Sequence, residues 1–181
     1  TVSMQRFIYK YCFTVSMQVN PPQMLPNLFY LTDHYSPEEI LCRDEQINAL
    51  KLYLDKFIQE GLPTNFILFG VTGAGKTATI KHLARVYNSN IRYASGLVDK
   101  TTHQILVRLS ILNKTNSRSY IFPKLIRDFK VKPSIIVIDE IDRVIDYDNL
   151  MVELNALYRS VPICIILITN NVPFLQKIPE D

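Results

Sequence analysis

One stretch constrains the fold of this chain more than any other: Gly70-Val71-Thr72-Gly73-Ala74-Gly75-Lys76-Thr77. Glycine, four residues, then Gly-Lys-Thr is the P-loop pattern, and it carries weight where a strand leads in and a helix leads out. Both conditions are met. The apolar run Phe66-Ile67-Leu68-Phe69 precedes it. A helical pattern to about Tyr87 follows, placing Ile80, Leu83, Ala84 and Tyr87 inward and Lys81, His82 and Arg85 outward. Glycines let the backbone curl so that successive N–H groups face phosphate oxygens. The start of the helix adds free N–H groups and the positive end of its dipole. Lys76 supplies a point charge for the outer phosphates, and the Thr77 hydroxyl suits Mg²⁺. A nucleoside triphosphate is therefore the expected ligand, against the plain alternative of a glycine turn before a helix.

The rest of the chain alternates apolar strands with amphipathic helices. Ser36-Pro37-Glu38-Glu39 reads as a helix start, with Ser36 able to cap, Pro37 suited to the first position and Glu39 able to close a capping box. Residues 44–60 predict a longer helix with Ile47, Leu50, Leu54, Phe57 and Ile58 on one face, stopped by Gly61 and Pro63. A weaker strand is expected at 91–94, a helix from Thr101/Thr102 to about Leu112, and a polar loop at 113–119. A short helix over 123–130 places Leu125, Ile126 and Phe129 together. Residues 134–138 read as a buried strand, 148–159 as a helix, and 162–169 as a second buried strand. Such alternation predicts an α/β domain with a parallel sheet.

Ile135-Ile136-Val137-Ile138-Asp139-Glu140 is a buried strand ending in two acids, the Walker B pattern. A carboxylate at a strand tip sits where ligands collect in parallel sheets. Asp139 is expected to hold Mg²⁺ opposite Thr77, and Glu140 to orient or deprotonate an attacking water. Alone, the pair would read as a solvated loop; beside the 70–77 loop it reads as the second half of a nucleotide site. Asp142 reads as an exposed helix residue. The strand over 163–168 ends in Thr169-Asn170-Asn171, and a polar side chain there can reach the γ-phosphate or the water, although asparagine also simply begins turns.

Length and composition set the outer bounds. At 181 residues the chain fits one domain with a real core. Cys12, Cys42 and Cys164 are odd in number and widely spaced, which fits a reduced, intracellular protein without a zinc site. His34, His82 and His103 stand alone and read as surface or packing residues. The longest apolar run, 163–168, falls far short of the ~20 residues of a membrane span, so no membrane association is expected. The first residue is Thr, which fits a fragment, a processed chain or an unusual start. Thr1-Val2-Ser3-Met4-Gln5 recurs as Thr14-Val15-Ser16-Met17-Gln18, too short a repeat to define an architecture. With Pro21, Pro22 and Pro26 as a connector, residues 1–24 are expected to be an appendage of unknown role and residues 25–181 the core.

Taken together, these segments resemble the AAA+ ATPases, and more narrowly the replication initiators of the origin-recognition and cell-division-control family, the archaeal ones especially. Tyr35-Ser36-Pro37-Glu38-Glu39-Ile40-Leu41-Cys42-Arg43-Asp44-Glu45-Gln46-Ile47 is similar to the family's entry motif, which packs near adenine and so implicates Tyr35, Pro37 and Arg43. The 70–77 loop is similar to its Walker A segment, Asp139-Glu140-Ile141-Asp142 to Walker B, and Ile168-Thr169-Asn170-Asn171-Val172-Pro173-Phe174 to sensor 1, with Asn170 as the sensor. The resemblance implies ATP and Mg²⁺ as cofactors, catalytic roles for Glu140 and Asn170, and other AAA+ protomers or replication proteins as partners. It also implies a further strand, an arginine finger, a helical lid and a winged helix after sensor 1, and the sequence ends at Asp181 before them. The expected fold is thus a P-loop NTPase core truncated before its last strand and lid, with one sheet edge uncovered and efficient ATP hydrolysis doubtful. The implied location is the cytoplasm beside the nucleoid, or the nucleus.

Between residues 100 and 132 lie eight basic residues, Lys100, Arg108, Lys114, Arg118, Lys124, Arg127, Lys130 and Lys132, and one acid, Asp128, in a chain whose formal net charge is only +3. Clustered Lys and Arg neutralise phosphates, and the initiators resemble one another in carrying a DNA-contacting insertion here. Exposed helices with solvated positive faces account for the same charges. Three functions remain open: an initiator-like nucleotide switch on DNA, a helicase-loader or transposition-helper ATPase, and a non-hydrolysing remnant that binds ATP or a partner.

Overall fold

Apolar runs and helix punctuation build one alternating series. In chain order the elements are β1 (Lys10–Phe13), α1 (Asp44–Glu60), β2 (Thr64–Gly70), α2 (Lys76–Val86), β3 (Asn90–Ser95) and α3 (Thr102–Ser110). There follow α4 (Arg118–Val131), β4 (Ser134–Asp139), a 3₁₀ turn (Ile141–Arg143), α5 (Tyr147–Ser160), β5 (Ile163–Thr169) and a second 3₁₀ segment (Val172–Lys177). The computed structural model describes residues 10–13, 44–87, 90–112, 117–132 and 134–177.

The five strands form one parallel sheet in the order β1-β2-β5-β4-β3. Because successive strand residues point to opposite faces, β4 and β5 feed two separate cores. Ile136, Ile138, Ile163, Ile165 and Leu167 pack with α3, α4 and α5 through residues such as Ile105, Leu125, Phe129, Leu154 and Leu157. Ile135, Val137, Cys164, Ile166 and Ile168 pack with Leu50, Leu54 and Phe57 of α1 and with Ile80 and Leu83 of α2. Both strands are buried along their whole length, as a sheet covered on both faces requires.

Local signals set most boundaries. Gly61 stops α1 at φ 67° while its N–H bonds the Phe57 carbonyl. Thr101 and Gln104 close a reciprocal capping box at the start of α3, worth about 1 kcal/mol. Four expectations need correction. Helix α4 begins at Arg118, five residues before the proline expected to open it; Pro123 lies inside, and Ile121 ahead of it is fully buried beside Leu125 and Phe129. Burial of that face outweighs the proline's lost hydrogen bond. Ile58 is 38 % exposed, because Leu54 and Phe57 already fill the inner face of α1. Asp142, expected to be exposed, is only 10 % exposed. Finally, the edge of β2 is covered: Lys10 to Phe13 pair in parallel with Ile67 to Gly70, so part of the segment read as an appendage joins the sheet. Its Tyr and Phe are residue types enriched in strands. The helix expected at Ser36 and the loop residues 113–116 lie outside the described residues.

Candidate functional site

The 70–77 loop leaves β2 at Gly70 and turns into α2 through Gly75, which sits at φ 79°, ψ 13°. This left-handed conformation suits glycine and aims the first turn of α2 back over the loop. Thr79 steadies the turn, donating to the Gly75 carbonyl from both its backbone N–H and its hydroxyl. The Lys76 side chain is 5 % exposed and folds into the loop's mouth, where Nζ donates to the carbonyls of Gly70 at 2.8 Å and Val71 at 2.9 Å. A buried ammonium is thereby held inside the loop.

Across the mouth stands Asp139 at the tip of β4. Its Oδ2 accepts from the Thr77 hydroxyl at 2.5 Å and the Tyr93 hydroxyl at 3.0 Å, and its Oδ1 accepts from the Glu140 N–H at 2.9 Å. Glu140 itself takes φ 49°, ψ 46°, a conformation costing a non-glycine residue about 1–2 kcal/mol. Such strain persists where surroundings over-determine it, and here they do. Gly96 N–H donates to the Asp139 carbonyl, and Arg143 N–H to that of Glu140. A Cβ on Gly96 would lie 2.3 Å from the Glu140 carbonyl oxygen, so only glycine lets the two turns approach. The Ser95 hydroxyl reaches Oε2 of Glu140 at 3.4 Å.

Asn170 follows β5, half-buried. Beside it Thr169, fully buried, donates to Asp142 Oδ1 at 2.6 Å and accepts the Asn171 N–H at 3.0 Å. This bond ties the tip of β5 to the turn after β4 and explains the burial of Asp142. A cavity of about 310 Å³ opens between these pieces, lined by Thr72, Gly73, Ala74, Gly75, Lys76, Thr77, Ala78, Asp139, Glu140 and Asn170. The structure therefore brings the loop, both acids and Asn170 together. Gly70 and Val71 contribute carbonyls to Lys76 rather than walls to the cavity, and Tyr35, Pro37 and Arg43 lie outside the described residues. Sequence reasoning missed Tyr93, Ser95 and Gly96, which carry no spacing signal, and it named Thr169 without its bond to Asp142.

The donor chemistry fits magnesium. Thr77 Oγ1 and Asp139 Oδ2 are hard oxygens that already converge, and Mg²⁺ is commonly held by one or two carboxylates plus substrate phosphates. Among the described residues no cluster of three or more His, Cys, Asp or Glu offers an alternative all-protein metal cage, and no helix is long and apolar enough to cross a membrane.

A doubly covered parallel sheet with a glycine loop at one strand tip and two acids at the next but one is the P-loop NTPase arrangement. The family model for the AAA ATPase domain matches residues 39–166, and the chain belongs to that family. Its curated relatives include the ORC1-type DNA replication protein 1 of Archaeoglobus fulgidus, 27 % identical over 167 residues, covering 81 % of this chain and 41 % of that protein. The ORC1-type DNA replication protein 2 of Thermoplasma acidophilum is 28 % identical over 171 residues, covering 84 % and 42 %. The chain thus spans less than half the length of these relatives. In fold it is similar to Aeropyrum pernix ORC1 in complex with DNA, with TM-score 0.70 and 19 % identity over 84 % of this chain and 45 % of that one. It is likewise similar to Cdc6p of Pyrobaculum aerophilum, with TM-score 0.68 and 17 % identity over 83 % and 44 %.

Proposed function

We propose that this chain is the ATP·Mg²⁺-binding AAA+ module of a replication initiator-like protein, a nucleotide switch that contacts DNA. The observation that carries the reading is the buried Lys76 ammonium in the loop's mouth, facing the Thr77–Asp139 pair across a cavity lined by Glu140 and Asn170. Lys76 and the N–H groups of the 70–77 loop bind the phosphates, and Thr77 and Asp139 hold the metal. When bound, Mg²⁺ neutralises the charge on the phosphate oxygens. Glu140, turned toward the cavity by its left-handed backbone, orients the attacking water and accepts its proton, and Asn170 positions that water or the γ-phosphate. Tyr35, Pro37 and Arg43 are assigned to the adenine side.

DNA contact is assigned to the basic segment, though not to all of it. Arg108 pairs with Asp99, Lys124 with Asp128, and Arg118 with the buried Glu153. Arg127, Lys130 and Lys132 remain exposed along α4 and its end, and these are the phosphate-facing candidates. Association with DNA places the protein at the nucleoid or in the nucleus, with other AAA+ protomers or replication proteins as partners.

Titration with a fluorescent ATP analogue tests the site. Lys76→Ala should weaken binding by roughly 30-fold or more, the loss expected on truncating a buried charge that pairs with an anion. Glu140→Gln should leave binding intact and abolish any turnover of the wild type. Unchanged binding by Lys76→Ala would overturn the site. Binding without turnover in the wild type would instead support the non-hydrolysing reading.

A further inference from the structure

Among the described residues three donors hold the Asp139 carboxylate. Thr77 comes from the nucleotide loop, and the Glu140 N–H from the aspartate's own strand end. Only the third, Tyr93, belongs to a neighbouring strand. Strand β3 runs parallel to β4 with Tyr93 opposite Val137 and Ser95 opposite Asp139. Ser95, level with Asp139, turns its hydroxyl to Glu140. Tyr93 starts two residues lower, about 6.6 Å down the strand, and its longer side chain spans that gap to reach Oδ2 of Asp139. Lys81 Nζ, one turn beyond Thr77 on α2, stands 6.0 Å from the ring centroid, at the outer range of a cation–π contact.

We propose that Tyr93 is a positioning residue for the metal-holding aspartate, fixing the orientation of the Asp139 carboxylate so that Oδ2 converges with Thr77 on one cation. This assignment rests on the nucleotide–magnesium reading above and adds a residue to it. Partners that orient a metal-ligating carboxylate set metal affinity, and their loss typically costs 10- to 100-fold. Tyr93 is not itself a lining residue of the cavity and meets that lining at Asp139, so its effect should fall on magnesium and spare the metal-free nucleotide.

The test is binding of a fluorescent ATP analogue by the full chain at rising Mg²⁺, and in EDTA, for the wild type and Tyr93→Phe, with thermal melting in parallel. Phenylalanine keeps the ring and removes only the hydroxyl. The expected result is a Mg²⁺ midpoint raised about tenfold in Tyr93→Phe, with EDTA affinity within about twofold of wild type and an unchanged melting temperature. A Mg²⁺ midpoint equal to wild type overturns the assignment. So does an equal loss of affinity with and without Mg²⁺, which would make Tyr93 a merely structural residue. A wild type that binds no nucleotide at all overturns the underlying reading, and the assignment with it.

Discussion

The loop half of the site and its carboxylate half are built by different means. The loop half is eight consecutive residues, shaped by short-range bonds: Lys76 to the carbonyls of Gly70 and Val71, Ala74 N–H to Val71, Thr79 to Gly75. The carboxylate half is assembled from three strand ends. Asp139 meets Thr77 across 62 residues and Tyr93 across 46, and Thr169 meets Asp142 across 27. A locally shaped loop can lose one side chain and keep its backbone. A half made of long-range contacts changes its stability and its geometry together.

Gly96→Ala tests that difference hardest. The new methyl would strike the Glu140 carbonyl and crowd Val144, and overpacking of this kind costs about 1–3 kcal/mol. The melting temperature should fall by roughly 2–4 °C for each kcal/mol lost, and turnover, where present, should fall further than ATP binding. A variant as stable and active as wild type would mean that the two turns do not approach as described.

Thr169→Val is the next test, a change of shape-matched residues that leaves Asp142 Oδ1 without its donor. We expect about 1 kcal/mol of destabilisation in denaturant unfolding, recovered in Thr169→Ser. Turnover, where present, should suffer more than nucleotide affinity, since Asn170, proposed to position the water or the γ-phosphate, directly follows Thr169. The same loss of catalysis in Thr169→Ser would assign the effect to something other than the Asp142 bond.

The smallest effect lies at the outer margin of the carboxylate half. Burial pushes the Tyr147 phenol up to about 12, with the Asp148 charge adding to the shift. Its ring meets Phe174 edge-on at 4.8 Å. A raised folded-state value means that its stability contribution is complete below about pH 10, the ordinary tyrosine value, and is lost as pH rises through about 12. Tyr147→Phe should flatten part of the alkaline decline in melting temperature relative to wild type. Tyr87, whose phenol is raised by burial and by its bond to Asp55, contributes the same sign and remains in both proteins. Identical alkaline profiles would remove Tyr147 from the account.

The pattern of legibility follows the same division. The 70–77 loop and the acids ending β4 could be read because each is a local pattern whose chemistry dictates its residues, whereas the asparagine after β5 stood out only through its place after those acids and the family resemblance. The two central strands were readable because a doubly buried strand must be continuously apolar. Less was visible where a remote contact decides. Asp142 reads as exposed until Thr169 arrives from another strand, and Pro123 reads as a helix start until burial of Ile121 extends α4 backward. Nothing in the spacing of Tyr93, Ser95 and Gly96 marks them, since parallel register alone sets them beside Asp139 and Glu140.

By itself, then, the sequence determined a parallel α/β sheet carrying a glycine-rich loop of the P-loop pattern and a buried strand ending in two acids, because strand burial and loop chemistry act on neighbouring residues. Only the tertiary structure decided that Lys10–Phe13 closes the edge beside the loop, and that Tyr93, Gly96 and Thr169 hold the acids in place. Those choices depend on which strands become neighbours, a property of the folded sheet.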